Sequence, residues 1–203
     1  MTILALLRHA ETDWSREGRI QGRTDIALSD AGRQHLAGRA IPVECQGMRV
    51  ISSPLERCVE TATLLGLAPI EREARIAEMR WGAWEGRRLE DLRTEQGAAM
   101  RENEERGFDF TPPGGESPRR VLERVRGWLA DVASDGRPTL AVAHRGVIRV
   151  IFAAASQWDM LGRPPVKLDW GAVHVFQLDS SGTPAPLRMN VPLAARQATR
   201  VPQ

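Results

Sequence analysis

Two histidines in this chain stand where apolar runs end, and each has an arginine beside it. The apolar run 3–7 leads into Arg8 and His9, and a second apolar run leads into His144 and Arg145. An imidazole can act as a nucleophile, and a guanidinium binds oxyanions through paired hydrogen bonds. The same pairing at two distant points of the chain predicts chemistry on an anion.

The elements that must position these residues alternate between strand-like and helix-like runs. Strands are predicted at 3–7, 49–52, 139–143 and 172–178, with an edge strand near 187–190. Helices are predicted at 29–40, 54–65, 118–132 and 147–155. This alternation favours an α/β fold with a mainly parallel sheet. Ligands in such folds bind at the carboxyl ends of the strands, where we expect His9, Ser52-Ser53 and His144.

Composition and charge exclude several classes of function. The chain has 203 residues, 42% of them hydrophobic, and can bury a core without disulfides. A net charge of +2 is too small to indicate nucleic-acid binding. Cys45 and Cys58 lack the CxxC spacing of zinc or redox sites. The first apolar run is too short for a signal peptide or a membrane span, so we expect a cytoplasmic location and no membrane partner.

One segment departs from the alternating pattern. Residues from about 87 to 116 are rich in charge and end in two prolines and two glycines. We interpret them as a partly helical excursion, or lid, within a single domain that spans 1–203. The residues after Pro192 are expected to form a loosely held tail. The sequence does not indicate an oligomeric state.

Four segments read together, 8–22, 52–62, 78–86 and 143–149, resemble the histidine phosphatase superfamily. The resemblance covers about residues 3–155, and the combination of four motifs in this order is highly specific. It implies a phosphoglycerate mutase-like fold, a three-layer α/β/α arrangement around a mainly parallel central sheet. It also implies a small phosphorylated metabolite as substrate.

The residue types suit such chemistry. A phosphate monoester is a dianion, so catalysis must supply positive charge around its oxygens, and Arg8 and Arg57 are suited to this as clamps. Nearby arginines disfavour the imidazolium and keep a histidine neutral and nucleophilic. The resemblance implies that His9 is the nucleophile, which forms a phosphohistidine, and that His144 stabilises charge in the transition state.

A carboxyl group is also needed to protonate the leaving alcohol and then to deprotonate water. The resemblance implies that Glu78 has this role, since it precedes the Gly-x-Trp-Glu-Gly segment. Glu11 and Glu85 are the alternatives on sequence alone. The two pocket histidines lack an HExxH motif or closely spaced carboxylates, so we expect neither a metal ion nor a cofactor.

Substrate binding is predicted for Ser15, Gln21, Gly22, Arg145 and Gly146. The backbone at Gln21 and Gly22 is expected to approach the phosphate closely. The chain departs from the family at Ala10, where glycine is common, at Ser15, which takes the place of asparagine, and at Arg145, where glycine is usual. The Arg145 side chain either points away or adds a third cation to the pocket, and the sequence does not decide which.

Other candidate residues have more ordinary interpretations. His35 on a helix face and His174 in a strand are expected to be structural, and Arg87, Arg88 and Arg149 to be solvated or structural. Trp81 and Trp84 could line a substrate pocket or pack in the core, and the sequence favours neither.

The sequence favours a phosphatase over a mutase. Phosphoglycerate mutases typically have Arg-His-Tyr-Gly after the acid glutamate, whereas this chain has Met79-Arg80-Trp81-Gly82 and no tyrosine. The Gly-x-Trp-Glu-Gly form resembles the phosphatase branch, including α-ribazole phosphatase-like members. The alternatives are a cofactor-dependent phosphoglycerate mutase and a pseudo-enzyme that binds phosphate without turnover.

Overall fold

A six-stranded sheet runs through the protein in the computed structural model, which describes residues 1–196. The strands are β1 (Thr2–Arg8), β2 (Arg39–Ala40), β3 (Arg49–Ser52), β4 (Ile70–Arg72), β5 (Thr139–Ala143), β6 (Val173–Leu178), β7 (Pro184–Val191) and β8 (Ala194–Ala195). The central sheet has the order β4-β3-β5-β1-β6-β7, and β2 pairs with β8 separately. The first four strands of this order are parallel, and β6 and β7 are antiparallel to their neighbours.

Helices cover both faces of this sheet. They are α1 (Asp13–Arg16), α2 (Asp30–Leu36), α3 (Glu56–Leu64), α4 (Leu89–Gln96), α5 (Ala98–Glu104), α6 (Pro118–Asp135) and α7 (Arg145–Ser156). On one face, β1 contributes Leu4 and Leu6 to a core that includes the apolar sides of α6 and α7. On the other, Ala5 and Leu7 join a core with residues of α2 and α3. The result confirms the predicted α/β fold with a mainly parallel sheet.

Burial on both faces explains why the central strands read as continuous apolar runs. All five residues of β5 are buried, and parallel strands between two helical layers have no solvent-facing side to carry polar residues. The parallel register places β1, β3 and β5 with their carboxyl ends at one edge, since Arg8 pairs with Ala143 and Ser52 pairs with Val142. Residues that follow these three strands are therefore neighbours.

Several predicted bounds are wrong. The helix predicted at 29–40 ends at Leu36, because the chain turns at Gly38 (φ +74°) into β2. The helix predicted at 54–65 begins at Glu56, and α7 begins at Arg145, directly after the second histidine. Four-residue α1 and the short strands β2, β4 and β8 are too brief to give a periodic signal.

The charged segment at 87–116 contains α4, α5 and a 3₁₀ turn, Gly107–Asp109. Its apolar residues Leu92 and Met100 form a small cluster with Trp84, against which Trp81 and Phe110 pack. The segment's function as a lid, within a single domain over 1–203, stays a prediction.

The tail predicted after Pro192 is partly held in place, because β8 pairs with β2. Its last part, 197–203, lies outside the described residues. Among the helices of residues 1–196, none has both the length and the apolar character required to cross a bilayer.

Two helical glycines, one in α2 and one in α6, differ in the space around them. A Cβ on Gly32 would lie 2.3 Å from the Glu11 carbonyl oxygen, so we expect Gly32→Ala to lower the free energy of unfolding by about 1–3 kcal/mol. Gly127 in α6 has only the end of the Arg75 side chain near, at 3.6 Å. Gly127→Ala should therefore stabilise by about 0.5–1 kcal/mol. Urea unfolding of both variants checks this, and similar effects at both sites would contradict it.

Candidate active site

The ends of three parallel strands bring the two histidines together. His9 follows β1 and its backbone N–H donates to the Ala143 carbonyl at 3.0 Å, while Ser53 follows β3 and donates in the same way to Val142 at 2.9 Å. The ring centroids of His9 and His144 lie 5.3 Å apart. Both rings are buried. The structure therefore places the two imidazoles side by side at this edge of the sheet.

The tautomer of His9 follows from one short contact. Its Nδ1 lies 2.7 Å from the Ala10 carbonyl oxygen, which can only accept, so Nδ1 carries the hydrogen and Nε2 keeps its lone pair. Burial and the charges of Arg8 and Arg57 lower the pKa of His9 well below its ordinary value, against the opposing effect of the Ala10 carbonyl. His9 is thus a neutral imidazole with a free Nε2.

His144 is fixed by a neighbour that follows a different strand. Its Nε2 lies 2.7 Å from the Ser53 hydroxyl oxygen, and the Cys58 sulfur lies 3.4 Å from the same nitrogen. Burial, then the charges of His9 and Arg57, lower the pKa of His144 well below its ordinary value. The second ring is therefore also neutral.

Arg57 is a fully buried cation. It lies in the first turn of α3, and its Nη1 and Nη2 donate to the carbonyls of Thr24 and Gly22 at 2.9 and 2.8 Å. Its nearest carboxylate, Asp25, lies 3.7 Å from Nη1. The Nε of Arg57 and the Nε of Arg8 are buried with no acceptor. Two guanidinium groups therefore keep unused donors beside the histidine pair.

Glu78 lies within the same cluster. Its carboxylate is mostly buried and accepts hydrogen bonds from the backbone N–H groups of Met79, at 2.8 Å, and Gly146, at 3.2 Å. Its charge acts on Arg8 and Arg23. A Cβ at position 146 would lie 2.4 Å from Glu78 Oε1. Gly146 therefore positions the carboxylate, and any larger residue there would displace it.

Glu85, one of the alternative acids, organises the loop at 21–24. Its two oxygens accept from the backbone of Arg23, Thr24 and Trp81 and from the Thr24 hydroxyl. Burial opposes ionisation, but these hydrogen bonds together lower the pKa of Glu85. A Cβ on Gly22 (φ +56°) would collide with this carboxylate at 2.0 Å, so the close approach requires glycine.

The remaining predicted binding residues lie at the margins of the cluster. The Ser15 hydroxyl accepts from the Thr12 N–H and donates to the Thr12 carbonyl as part of a capping box at α1. Gln21 has its Oε1 buried without a partner. Glu11, the other alternative acid, accepts from the Ser29 hydroxyl at 3.1 Å. These hydrogen bonds give Ser15 and Glu11 structural partners.

Arg145 fits both of the alternatives that the sequence left open, because its side chain is exposed and its charge still acts on the site. Its guanidinium Cζ lies 5.2 Å from the centroid of the Trp170 ring, and the side chain is exposed. After burial, its positive charge is the largest influence that lowers the pKa of Arg8. Arg145 is therefore a third cation near the site, held against an aromatic ring.

The structure also shows the surroundings of the other tryptophans and histidines that the sequence analysis considered. Trp84 is buried in the small core beside α4, and Trp81 is only half-buried and faces a cavity. His174 is buried, and its Nδ1 accepts from the Asn190 N–H at 3.3 Å. His35 is exposed at the edge of a different cavity.

Arg23 was missed by the sequence analysis. Its Nε is buried with no partner, and its Nη2 lies 3.9 Å from Glu116 Oε2. Its charge lowers the pKa of His144. The only available signal was its place directly after Gln21-Gly22, because a loop that approaches a phosphate also carries its next side chain toward the site.

One cavity borders His9, and a second borders Met79 and Gly146, whose N–H groups bind Glu78. One, of about 460 Å³, is lined by Arg8, His9, Ser15 and Trp170 among others. The second, of about 440 Å³, is lined by Met79, Trp81, Phe110, Gly146 and Arg149 among others and is called here the side pocket. Within residues 1–196, no three histidine, cysteine, aspartate or glutamate side chains converge in a way that could hold a metal ion.

A central sheet between helical layers, with two neutral imidazoles and several guanidinium groups at its carboxyl edge, defines an enzyme of the phosphoglycerate mutase-like fold. Residues 4–191 match the histidine phosphatase superfamily (branch 1). The chain belongs to this superfamily, and it is a phosphatase.

The most informative relatives and structures agree. A glucosyl-3-phosphoglycerate phosphatase from Mycolicibacterium vanbaalenii is 31% identical over 78% of each chain. A phosphoserine phosphatase 1 from Hydrogenobacter thermophilus is 32% identical over 79% of each. A mycobacterial glucosyl-3-phosphoglycerate phosphatase in complex with VO3 superposes with a TM-score of 0.75, at 25% identity, over 94% of this chain and 98% of that one. The α-ribazole subtype is a finer prediction that these likenesses do not test.

The depressed pKa of His144 predicts a contribution to acid sensitivity. A histidine held neutral in the folded state binds a proton only after unfolding, so stability falls as the pH drops below about 6.5, by up to about 2 kcal/mol at pH 5. We expect the loss of unfolding free energy between pH 7 and pH 5 to be smaller in His144→Gln than in the wild type. His35→Gln, at an exposed position, is the control, and equal losses in all three proteins would contradict the prediction.

Loss of the Glu85 carboxylate should loosen the loop at 21–24. In Glu85→Gln an amide N–H₂ replaces one accepting oxygen and faces N–H or O–H donors, which we expect to cost about 1–3 kcal/mol of stability. Phosphate binding should weaken as well, because Gly22 and Arg57 are joined through this loop. Thermal unfolding and phosphate titration measure the two effects. Glu90→Gln on exposed α4 should change neither, and an effect of equal size there would refute the assignment.

Proposed function

We propose that this phosphatase hydrolyses phosphomonoesters of small metabolites through a covalent phosphohistidine at His9. The observation that carries the proposal is the state of the His9 ring. Its Nδ1–H is bound to Ala10, its Nε2 is free, and the ring lies between the charges of Arg8 and Arg57. The relatives named as glucosyl-3-phosphoglycerate and phosphoserine phosphatases support a small phosphorylated substrate.

The first step transfers the phosphoryl group. The Nε2 lone pair of His9 attacks phosphorus, the ester P–O bond breaks, and protonated Glu78 gives its proton to the leaving oxygen. The unused donors of Arg8 and Arg57 bind the equatorial oxygens, where negative charge develops. His144, whose ring centroid lies 5.3 Å from that of His9, stabilises the charge that develops in this step.

The second step releases phosphate. The Glu78 carboxylate takes a proton from water as the water oxygen attacks phosphorus, and the P–N bond breaks. Inorganic phosphate leaves, His9 regains its lone pair, and Glu78 is protonated again for the next cycle. Neither step uses a metal ion or a cofactor.

The roles of Arg145, Gly146, Ser15, Gln21 and Gly22 in substrate binding form part of the proposal. Gly146 positions Glu78 through its N–H, and Gly22 anchors Arg57 through its carbonyl. These two glycines therefore act mainly through the catalytic side chains.

Substitution of Glu78 should separate the two steps. We expect Glu78→Gln to lower kcat on an alkyl phosphate about 10²–10⁴-fold, because the leaving alkoxide then lacks a proton donor. On p-nitrophenyl phosphate, whose leaving group needs no proton, phosphorylation of His9 should proceed and the phosphoenzyme should accumulate. Quenched-flow labelling with ³²P measures both.

Controls distinguish Glu78 from the other carboxylates and His9 from other acceptors. Glu11→Gln should remain close to wild type, and His9→Ala should show no label. Label retained in His9→Ala would overturn the phosphohistidine. Phosphate binding with no label and no turnover over a wide panel would instead indicate a pseudo-enzyme, and interconversion of 2- and 3-phosphoglycerate without phosphate release would indicate a mutase.

A further inference from the structure

The side pocket is where the alcohol part of a substrate would lie. Met79 and Gly146, whose N–H groups bind the Glu78 carboxylate, both line it. A general acid must reach the oxygen of the leaving group, so a substrate with its phosphoryl group at His9 directs its leaving alcohol past Glu78 into this pocket. A volume of about 440 Å³ suits a small metabolite. This step rests on the proposed function.

The charges along the side pocket do not balance. Its charged lining residues are Arg93, Arg101, Glu104, Glu105 and Arg149. Arg93 and Glu104 form an ion pair at 2.7 Å. Among residues 1–196, neither the exposed Arg101 nor the half-buried Arg149 has a carboxylate oxygen within 4.0 Å of its guanidinium. The wall that α7 contributes is therefore positive.

Arg149 is held in place without a hydrogen-bond acceptor. Its Cζ lies 5.0 Å from the centroid of the Trp158 ring, and that ring is fixed because its Nε1–H donates to the Leu161 carbonyl at 2.7 Å. The Nε of Arg149 is buried and unpaired. An arginine stacked on a fixed ring keeps its fork oriented and loses little entropy on binding an anion.

Arg145 lies one helical turn before Arg149 and is stacked in the same manner on Trp170. Burial and the charge of Arg145 lower the pKa of both Arg8 and Arg149, so Arg145 is close enough to act on each of them. A phosphoryl group at Arg8 would leave the charge of Arg149 without a counter-ion.

We propose that Arg149 binds an acidic group on the leaving alcohol, and that Arg145, one turn earlier on α7, adds positive charge nearby. The preferred substrates are then phosphomonoesters that also carry a carboxylate or a second acid group, and Arg149 is a specificity-determining residue. A carboxylate would accept from the guanidinium fork in the side pocket while the phosphoryl group lies between Arg8 and Arg57.

The test compares two substrates that differ only in this acidic group. 3-Phosphoglycerate carries a carboxylate where glycerol 3-phosphate carries a hydroxymethyl group. We expect the wild type to have the higher kcat/KM for 3-phosphoglycerate, and the ratio of the two kcat/KM values to fall about 10–100-fold in Arg149→Gln, since a charge-assisted hydrogen bond is lost. Arg149→Lys, which keeps the charge and lacks the fork, should lie between them.

Two further variants and a series of salt concentrations test whether a change in the kcat/KM ratio comes from charge at this subsite. Arg145→Gln should also lower the ratio, whereas Arg137→Gln, at the opposite, amino end of β5, should leave it unchanged. Because both substrates are measured on the same protein, a partly unfolded variant does not change the ratio. In the wild type the ratio should also fall as ionic strength rises, a readout that needs no variant.

The outcomes for the subsite and for the proposed function are separate. A wild type that hydrolyses p-nitrophenyl phosphate but shows no preference for 3-phosphoglycerate would overturn the acidic-group subsite and leave the phosphatase mechanism intact. A ratio unchanged in both Arg149→Gln and Arg145→Gln would do the same. Failure of the wild type to hydrolyse any phosphomonoester, with no label on His9, would overturn the proposed function itself.

Discussion

Two uncharged imidazoles are held beside buried positive charge, and this arrangement is the constraint on which the rest of the site depends. Burial and nearby guanidinium groups both disfavour the imidazolium, so the two histidines stay neutral. The cost is a set of donors with no acceptors, including the Nε atoms of Arg8 and Arg57. In the proposed mechanism, a phosphoryl group supplies the missing negative charge and the missing acceptors together.

Backbone groups rather than acidic side chains hold this charge in place. Arg57 is anchored by two loop carbonyls, and the loop itself is anchored by Glu85. A carboxylate paired directly with Arg57 would neutralise it and weaken its attraction for phosphate. Carbonyl oxygens orient the guanidinium while they leave its charge available, and Asp25 remains at 3.7 Å. Glu78 is likewise held by two backbone N–H groups.

Helix α7 connects the proposed catalytic residues to the proposed subsite for the leaving alcohol. α7 begins directly after His144, so its first two turns carry Arg145, Gly146 and Arg149 away from the histidine pair. A displacement of this helix would change the position of Glu78 and the shape of the side pocket at once. The opposite wall comes from α4 and α5, a segment that is free to differ in sequence without disturbance of the sheet. One wall of the side pocket is therefore tied to the edge of the sheet, and the other belongs to a separate segment of the chain.

The sequence by itself determined the fold class and predicted most of the candidate site, because the strand ends gave local signals and four motifs resembled a known family. Apolar runs marked buried strands, and polar residues directly after them marked the sheet edge, as for His9 and His144. Only the tertiary structure decided the tautomer of His9, the anchoring role of Glu85, the place of Arg23 and the stacking of Arg145 and Arg149. Each of these depends on a partner far away in sequence, and a distance between two side chains is fixed by packing, which no local pattern records.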